Sequence, residues 1–364
     1  MSVFERRLYF HLDWLLLATI LTISAMGLVM IYSSTHVTNP RLYLSQTYAL
    51  GLGLIALLVA LSVDYRTLAD KSHWIYGGIV LLLLYVLFFG AVRGGARRWI
   101  ALGPFNLQPS EFSKMVLALV LAKFYGENRR HTPSRADLLV GAGFLALPLL
   151  LIARQPDLGT AVTLVPVYLF IVYAAGLPVR LLGIIALAFV LAAPVIWHVA
   201  LQDYQKQRVI TFIDPSKDTQ GAGYQQIQAR ITVGSGGLWG KGFQKGTQGQ
   251  LRFLPVAHND FIFSAWAEEQ GFKGVIVALA LYLLVIVRSL EAARLAKDRL
   301  GSFLVLGVLA SFAFQVIYNI SMSAGLAPVK GLTLPLMSYG GSSLIATLAG
   351  FGLILNVRMR RFTN

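Results

Sequence analysis

The fold turns on one stretch: His258-Asn259-Asp260, followed by FIFSAWAEEQGFKGVIVALALYLLVIV over 261–287. The apolar run exceeds the roughly 20 residues that cross a bilayer core. Only Glu268, Glu269 and Lys273 interrupt it with charge. Upstream, residues 202–260 are polar and glycine-rich. Asp260 therefore stands where a watery segment meets a membrane helix, with water on one side and lipid on the other. That placement makes its carboxylate the first candidate for chemistry.

Nine more apolar stretches lie outward from this one, at 14–32, 43–63, 74–89, 109–125, 138–153, 158–175, 181–201, 302–323 and 342–355. Hydrophobic residues make up 56% of the 364 and charged ones only 13%. Backbone polar groups in lipid have to be satisfied within the segment, so each stretch is expected to be a helix. The reading is an all-α, polytopic membrane protein with ten transmembrane helices. One membrane domain covers 1–364, with a long outer loop (about 202–260) between helices 7 and 8. The first 13 residues carry Arg6 and Arg7, no small-residue cleavage site follows the first span, and they read as a retained signal-anchor. No period marks a solenoid or an inverted repeat.

Basic residues set the orientation. With the amino terminus inside, the even-numbered connections and both termini hold 16 Lys or Arg, among them Arg66, Lys71, Lys123, Arg129, Arg130, Arg288, Arg299, Arg358 and Arg360. The short outer connections hold six: Arg41, Arg93, Arg97, Arg98, Arg154 and Lys330. That bias places both termini in the cytoplasm and Asp260 outside, because long loops translocate largely regardless of charge. The inner anchors account for just over half of the basic residues behind the net charge of +15, so nucleic acid is not needed as a partner.

The outer basic residues carry more information. Arg93, Arg97 and Arg98 crowd the 92–108 connection beside Trp99, and Lys206, Arg208, Arg230, Lys241, Lys245 and Arg252 line the long loop. Positive charge there can offset phosphate, Arg with a bidentate fork. The plainer reading is a solvated loop or attraction to anionic lipid heads. The chain has no cysteine, which removes disulfides and thiolate metal sites, and its six histidines form no His-Glu-x-x-His pattern. Gly234-Ser235-Gly236-Gly237-Leu238-Trp239-Gly240-Lys241-Gly242 is not a nucleotide loop, since Gly242 follows Lys241 where Ser or Thr is required. It reads as a tightly turned or re-entrant segment.

Charges inside spans are costly and attract functional hypotheses. Glu111 and Lys114 are three apart, share a helix face and can neutralise each other. Asp157 follows Pro156 at a helix start, where a carboxylate favours the positive end. Glu268 lies on the face that Asp260 begins, so it is expected to share the Asp260 cavity, and Lys273 is a deep exception. A partly desolvated Asp260 suits a general base, or an anchor for a divalent cation that clamps a diphosphate. From the residues alone the site is an outer-face site for an anionic lipid.

Four segments together resemble the SEDS family (shape, elongation, division and sporulation), most closely its RodA branch. They are Gly95-Ala96-Arg97-Arg98-Trp99 running into Leu107-Gln108-Pro109-Ser110-Glu111, then Arg154-Gln155-Pro156-Asp157-Leu158-Gly159-Thr160, then Phe253-Leu254-Pro255 through His258-Asn259-Asp260-Phe261, and Leu334-Pro335-Leu336-Met337-Ser338-Tyr339-Gly340-Gly341-Ser342-Ser343. Gly246-Thr247-Gln248 and the run from Tyr204 to Val209 look like the RodA branch rather than the division branch. Two positions depart: the family often shows Glu where Val256 stands and Thr where Asn259 stands.

The resemblance implies a peptidoglycan glycosyltransferase that polymerises lipid II, a disaccharide-pentapeptide on undecaprenyl diphosphate, at the outer face of the bacterial cytoplasmic membrane. The growing glycan would be the donor, the sugar 4-hydroxyl of lipid II the acceptor, with inversion. It implies Asp260 as catalytic base or metal anchor, with Mg or Mn as the candidate divalent ion. Arg98, Trp99, Glu111, Lys114, Arg208 and Gln248 are implied substrate-binding residues. The implied partners are a class B penicillin-binding protein and other elongation-machinery membrane proteins. Two alternatives stand beside this: a lipid II flippase, which would need charges through the bilayer depth, and a non-catalytic cell-wall scaffold.

Overall fold

Each apolar stretch forms a helix in the computed structural model, which describes residues 11–36, 39–93, 96–103, 105–128, 132–199, 203–218, 221–251 and 253–362. In chain order these are α1 (Trp14–Thr35), α2 (Pro40–Ser62), the short α3 (Tyr65–Asp70), α4 (Ser72–Phe89), α5 (Pro109–Gly126), α6 (Arg135–Arg154), α7 (Leu158–Ala174) and α8 (Val179–Val199). After α9 (Asp203–Ile213), α10 (Ala222–Ser235) and α11 (Thr247–Gln250) come α12 (Ile262–Arg294), α13 (Arg299–Ser323) and α14 (Gly341–Met359). Seven helices (α1, α2, α4, α6, α12, α13 and α14) are long and apolar enough to cross a membrane. The other three expected spans fall on α7 and α8, which are shorter apolar helices, and on α5, which carries Glu111, Lys114 and Lys123. Arg6 and Arg7, Gly95, Arg129 and Arg130, His131 and Arg252 lie outside the described residues, as do the side chains of Arg93 and Tyr204.

Two features depart from a plain helical reading. The 92–108 connection is a three-stranded antiparallel sheet of β1 (Ala91–Arg93), β2 (Ala96–Leu102) and β3 (Phe105–Leu107), with Ala91 opposite Trp99 and Ile100 opposite Leu107. Gly103, at φ +61, makes the turn between β2 and β3, a conformation that favours glycine. The described part of the 202–260 segment is largely helical (α9, α10, α11), and it packs on the bundle through a second apolar cluster.

α13 and α14 are buried on most sides, while α6 is mostly exposed. α14 packs closely because Gly352 meets the backbone of Leu57 on α2, the small-residue contact typical of membrane helices. Asn356 of α14 donates to the carbonyls of Leu61 (2.6 Å) and Val63 (2.8 Å) and accepts from the Tyr65 amide, closing the end of α2 that no cap residue satisfies. Charges concentrate at that end of the bundle. Asp13, the N-cap of α1, bridges Arg288 (3.0 Å) and Arg358 (2.6 Å), Asp298 bridges Arg66 (2.9 Å), and Asp64 bridges Arg360 (3.2 Å). The opposite end gathers Asp260, Asn319, Asp157 and the starts of α2, α5, α7 and α14.

Candidate active site

The turn 253–261 delivers Asp260. Leu254 and Phe261, almost fully buried, anchor it on either side against Ala229 of α10, Met322 of α13 and Ala327 and Val329 beyond α13. Asn319 of α13 donates to the Asp260 carbonyl at 2.9 Å and to the Leu332 carbonyl at 2.6 Å. The Tyr339 amide donates to the His258 carbonyl at 3.0 Å. The Asp260 backbone is thus held from α13 and from the 338–340 turn, while its side chain is left over: Oδ1 is buried with no protein partner. On the other side Gly331 lies against Oδ2 in a left-handed conformation (φ +67) that favours glycine.

Burial pushes the Asp260 carboxyl up to about 6, and the nearby guanidiniums of Arg208 and Arg98 oppose that rise. Arg98 is the more firmly held of the two. Its Nε donates to the Gln155 carbonyl at 3.2 Å, Nη2 donates to the Pro156 carbonyl, and Nη1 stands 3.8 Å from Asp157 Oδ1. Asp157 is itself fixed as the N-cap of α7 and accepts from Gln108 Nε2 at 2.9 Å and Ser110 Oγ at 3.4 Å. Arg208 of α9 also acts on Lys330, whose ammonium burial and that like charge push below its usual range. Lys330 lies 5.6 Å from the Tyr318 ring centroid. Asp260 therefore sits in the field of Arg98 and Arg208, with Lys330 beside Arg208: an acid poised near neutrality beside cations that can meet an anionic group.

The other expected residues distribute differently. Trp99 neighbours Arg98 on β2, and successive strand side chains point to opposite faces, so Arg98 alone of the two turns toward Asp157. Glu111 and Lys114 do pair, at 2.7 Å, and Lys114 also donates to Gln315 Oε1 at 3.1 Å. They line a buried cavity of about 30 Å³ between α5, α13 and α14 whose walls include neither Asp260, Arg98 nor Arg208. That space holds about one water. The link to Asp260 runs through α13, where Gln315 and Asn319 sit one turn apart on one face. Gln248 is tied by its amide to Glu268 (3.1 and 3.3 Å), and its carbonyl accepts from Leu254 at 3.0 Å. Its side-chain Oε1 is buried without a partner.

Glu268, expected beside Asp260, is engaged with the 241–248 segment. It is buried and accepts from the Thr247 amide (2.9 Å), the Gln248 amide and the Lys241 ammonium (2.6 Å), so its job is to hold the 241–248 segment. Lys273 is exposed two residues past a break in α12, with its ammonium 3.1 Å from the Trp239 ring centroid. Asn319 and Lys330 are site residues that sequence reasoning missed. Lys330 reads only as one of the outer charges, and the one signal for Asn319 is an amide in an apolar helix.

A helical bundle with several spans long and apolar enough to cross a membrane, carrying a desolvated carboxylate in the field of two arginines near one end, defines a polytopic membrane protein. The family model for cell cycle proteins of the FtsW, RodA and SpoVE type matches residues 13–362, and the chain belongs to that family, the SEDS proteins. It is 37% identical to the peptidoglycan glycosyltransferase MrdB of Escherichia coli K12 over 351 residues, covering 96% of this chain and 94% of that one. It is 36% identical to stage V sporulation protein E of Bacillus subtilis over 362 residues, covering 95% and 96%. Among solved structures it matches one from a peptidoglycan synthase complex that coordinates polymerization and crosslinking, with a TM-score of 0.84 at 35% identity, over 97% of this chain and 99% of that one. The rod shape determining protein RodA of Thermus thermophilus matches with a TM-score of 0.72 at 33% identity, over 97% and 98%.

Proposed function

We propose that this chain is a peptidoglycan glycosyltransferase that polymerises lipid II at the outer face of the bacterial cytoplasmic membrane. The carrying observation is the buried, unpartnered Oδ1 of Asp260 in the field of Arg98 and Arg208. The acceptor's 4-hydroxyl gives its proton to Asp260 as its oxygen bonds to the anomeric carbon of the growing glycan. The bond from that carbon to the diphosphate oxygen breaks with inversion, and undecaprenyl diphosphate leaves with the electron pair. A carboxyl near 6 is ionised at neutral pH yet more basic than an ordinary aspartate, as a general base requires. Arg98 and Arg208, joined by Lys330, meet the charge that builds on the leaving diphosphate.

No cluster of three His, Asp or Glu side chains that could cage a metal occurs among the described residues. Were a divalent ion to bind here, the carboxylate of Asp260, whose Oδ1 has no protein partner, would be the residue to hold it. Such an ion would add Lewis-acid help to the departure of the diphosphate. The membrane placement has both termini in the cytoplasm. The likeness to a chain of a peptidoglycan synthase complex supports a class B penicillin-binding protein as partner.

The flippase reading is less well supported. Among the described residues, Asp13, Arg288, Arg358 and Glu291 are closed into ion pairs at the end opposite Asp260, and Glu111 is closed onto Lys114. The experiment is Asp260→Ala in purified protein with its partner and labelled lipid II. Glycan synthesis should fall by about 10²-fold or more, the usual contribution of a general base. Near wild-type synthesis would overturn the assignment.

A further inference from the structure

The outer ends of α1 and α2 leave a groove that the chemistry above does not use. Leu28, Val29 and Tyr32 of α1 and Tyr43 of α2 form its floor and walls, Phe243 overhangs it, and it encloses about 190 Å³. Every lining residue is apolar or aromatic, and Val29, Tyr32 and Phe243 are exposed. Phe243 is held in place from both sides. The amides of Lys241 and Gly242 donate to the carbonyls of Glu268 (2.9 Å) and Glu269 (3.0 Å), and the Gln244 amide donates to the Glu269 carboxylate at 3.3 Å. That carboxylate also accepts from Ser33, the residue after Tyr32 on α1. Gly242 (φ +98) and Gln244 (φ +59) flank Phe243 in left-handed conformations, which for Gln244 are unfavourable and persist only where the surroundings enforce them. The fold thus maintains an aromatic roof over an apolar slot.

The location narrows the occupant. On the orientation proposed above, the slot opens toward the lipid chains of the outer leaflet. Tyr43 lies one turn before Gln46, which donates to the Ser338 carbonyl (3.2 Å) and accepts from the Gly340 amide (3.1 Å). Tyr339, between them, binds the His258 carbonyl two residues before Asp260. The groove and the reactive carboxylate therefore share α2 and the 338–340 turn as a common wall. Three aromatic rings around the slot suit the flat, methyl-branched alkenes of an isoprenoid better than a saturated acyl chain. We infer that the α1–α2 groove under Phe243 holds a stretch of the polyisoprenoid chain of the lipid-linked sugar substrate, an assignment that rests on the polymerase reading.

The test compares wild type and Val29→Trp in nanodiscs of one phospholipid composition, using lipid II with its undecaprenyl chain or with a much shorter geranyl chain. Filling the slot should raise KM for the long-chain substrate about tenfold and leave kcat and the geranyl KM within about twofold, the signature of lost uniform binding. Equal effects on both substrates, or none, overturn the groove while leaving polymerisation standing. A wild type that makes no glycan removes the polymerase reading itself. Photolabelling of wild-type protein with a diazirine-bearing undecaprenyl diphosphate needs no variant. Label on Tyr32, Tyr43 or Phe243, displaced by undecaprenyl phosphate and not by excess phospholipid, supports the groove. Label elsewhere, or displacement by phospholipid, overturns it.

Discussion

At the residue scale, Asp260 is a carboxylate kept short of partners. Its acid group rises from 3.8 to about 6 because burial outweighs Arg208 and Arg98. As a base it works ionised, so kcat/KM should fall tenfold per pH unit below about 6 and level off above it. Arg208→Gln removes a group that lowers this pKa, so the acid limb should move to higher pH; a stationary limb would exclude Asp260 as the titrating base. The same rise affects stability. A folded-state pKa above the unfolded one means that the ionised form is disfavoured in the native protein. The full stabilisation is present below about 3.8 and is lost as pH rises through about 6. Asp260→Asn should therefore be inactive yet more stable than wild type at pH 7.5, by on the order of 1–3 kcal/mol, with the difference gone near pH 4 in denaturant titrations. Asp260 was legible in sequence because a lone carboxylate at a water–lipid boundary is conspicuous. Lys330 and Asn319 were not, since their roles come from α13 and the 324–340 segment folding back beside α9 and the 253–261 turn.

At the element scale, the device that places Asp260 is the break in α12. Gly271, at φ 65 and ψ −167, interrupts the helix, and the 237–242 turn plugs the gap. Lys241 and Gly242 satisfy the carbonyls of Glu268 and Glu269 before the break. The amides of Phe272 (2.9 Å) and Lys273 (3.3 Å) after it donate to Gly237 and Leu238. Broken helices survive at membrane depth when protein supplies the missing partners in this way. From the Asp13–Arg288 bridge, α1 reaches Ser33 and α12 reaches Glu269 after about 30 Å each, at 1.5 Å per residue. From Asp298, α13 reaches Asn319 after about 31 Å. Asp260 and Glu269 therefore stand at similar heights, and the first part of α12 runs across that end of the bundle rather than down through it. The expected span over 261–287 thus begins ten residues early. Its unbroken hydrophobicity hid the break, while the glycine run 234–242 correctly signalled a tight turn without showing what it packs against. A Cβ at Gly271 would fall 2.2 Å from the Gly240 amide nitrogen, so Gly271→Ala should cost about 3 kcal/mol or more. Gly78→Ala in α4, which meets nothing within 4 Å, should be neutral or stabilising by up to about 1 kcal/mol. Thermal unfolding in detergent reads both, and equal effects at the two sites would discredit the splice.

At the scale of the whole molecule, the two ends of the bundle differ in kind, and that difference predicts orientation. One end is laced by ion pairs at Asp13, Asp64, Asp298 and Lys123. The other keeps Asp260 without a partner for Oδ1 and leaves Trp239, Leu238 and Leu251 exposed, as an interface with headgroups would have it. Paired charges suit an anchoring face, whereas an unpaired acid among cations is tolerated where a ligand will complete it. The basic bias of the connections assigns the ion-paired end to the cytoplasm, and the helix order places α3 at that end and α9–α11 at the other. The absence of any cysteine makes this directly measurable, because one introduced thiol is the only one to react. Ser216 and Lys71 are both exposed, on the outer segment and at the start of α4 respectively. In intact spheroplasts a membrane-impermeant maleimide should label Ser216→Cys within minutes and Lys71→Cys only after permeabilisation. The reverse pattern would put Asp260 in the cytoplasm, where the lipid-linked sugar acceptor proposed for it could not be used to build an external wall.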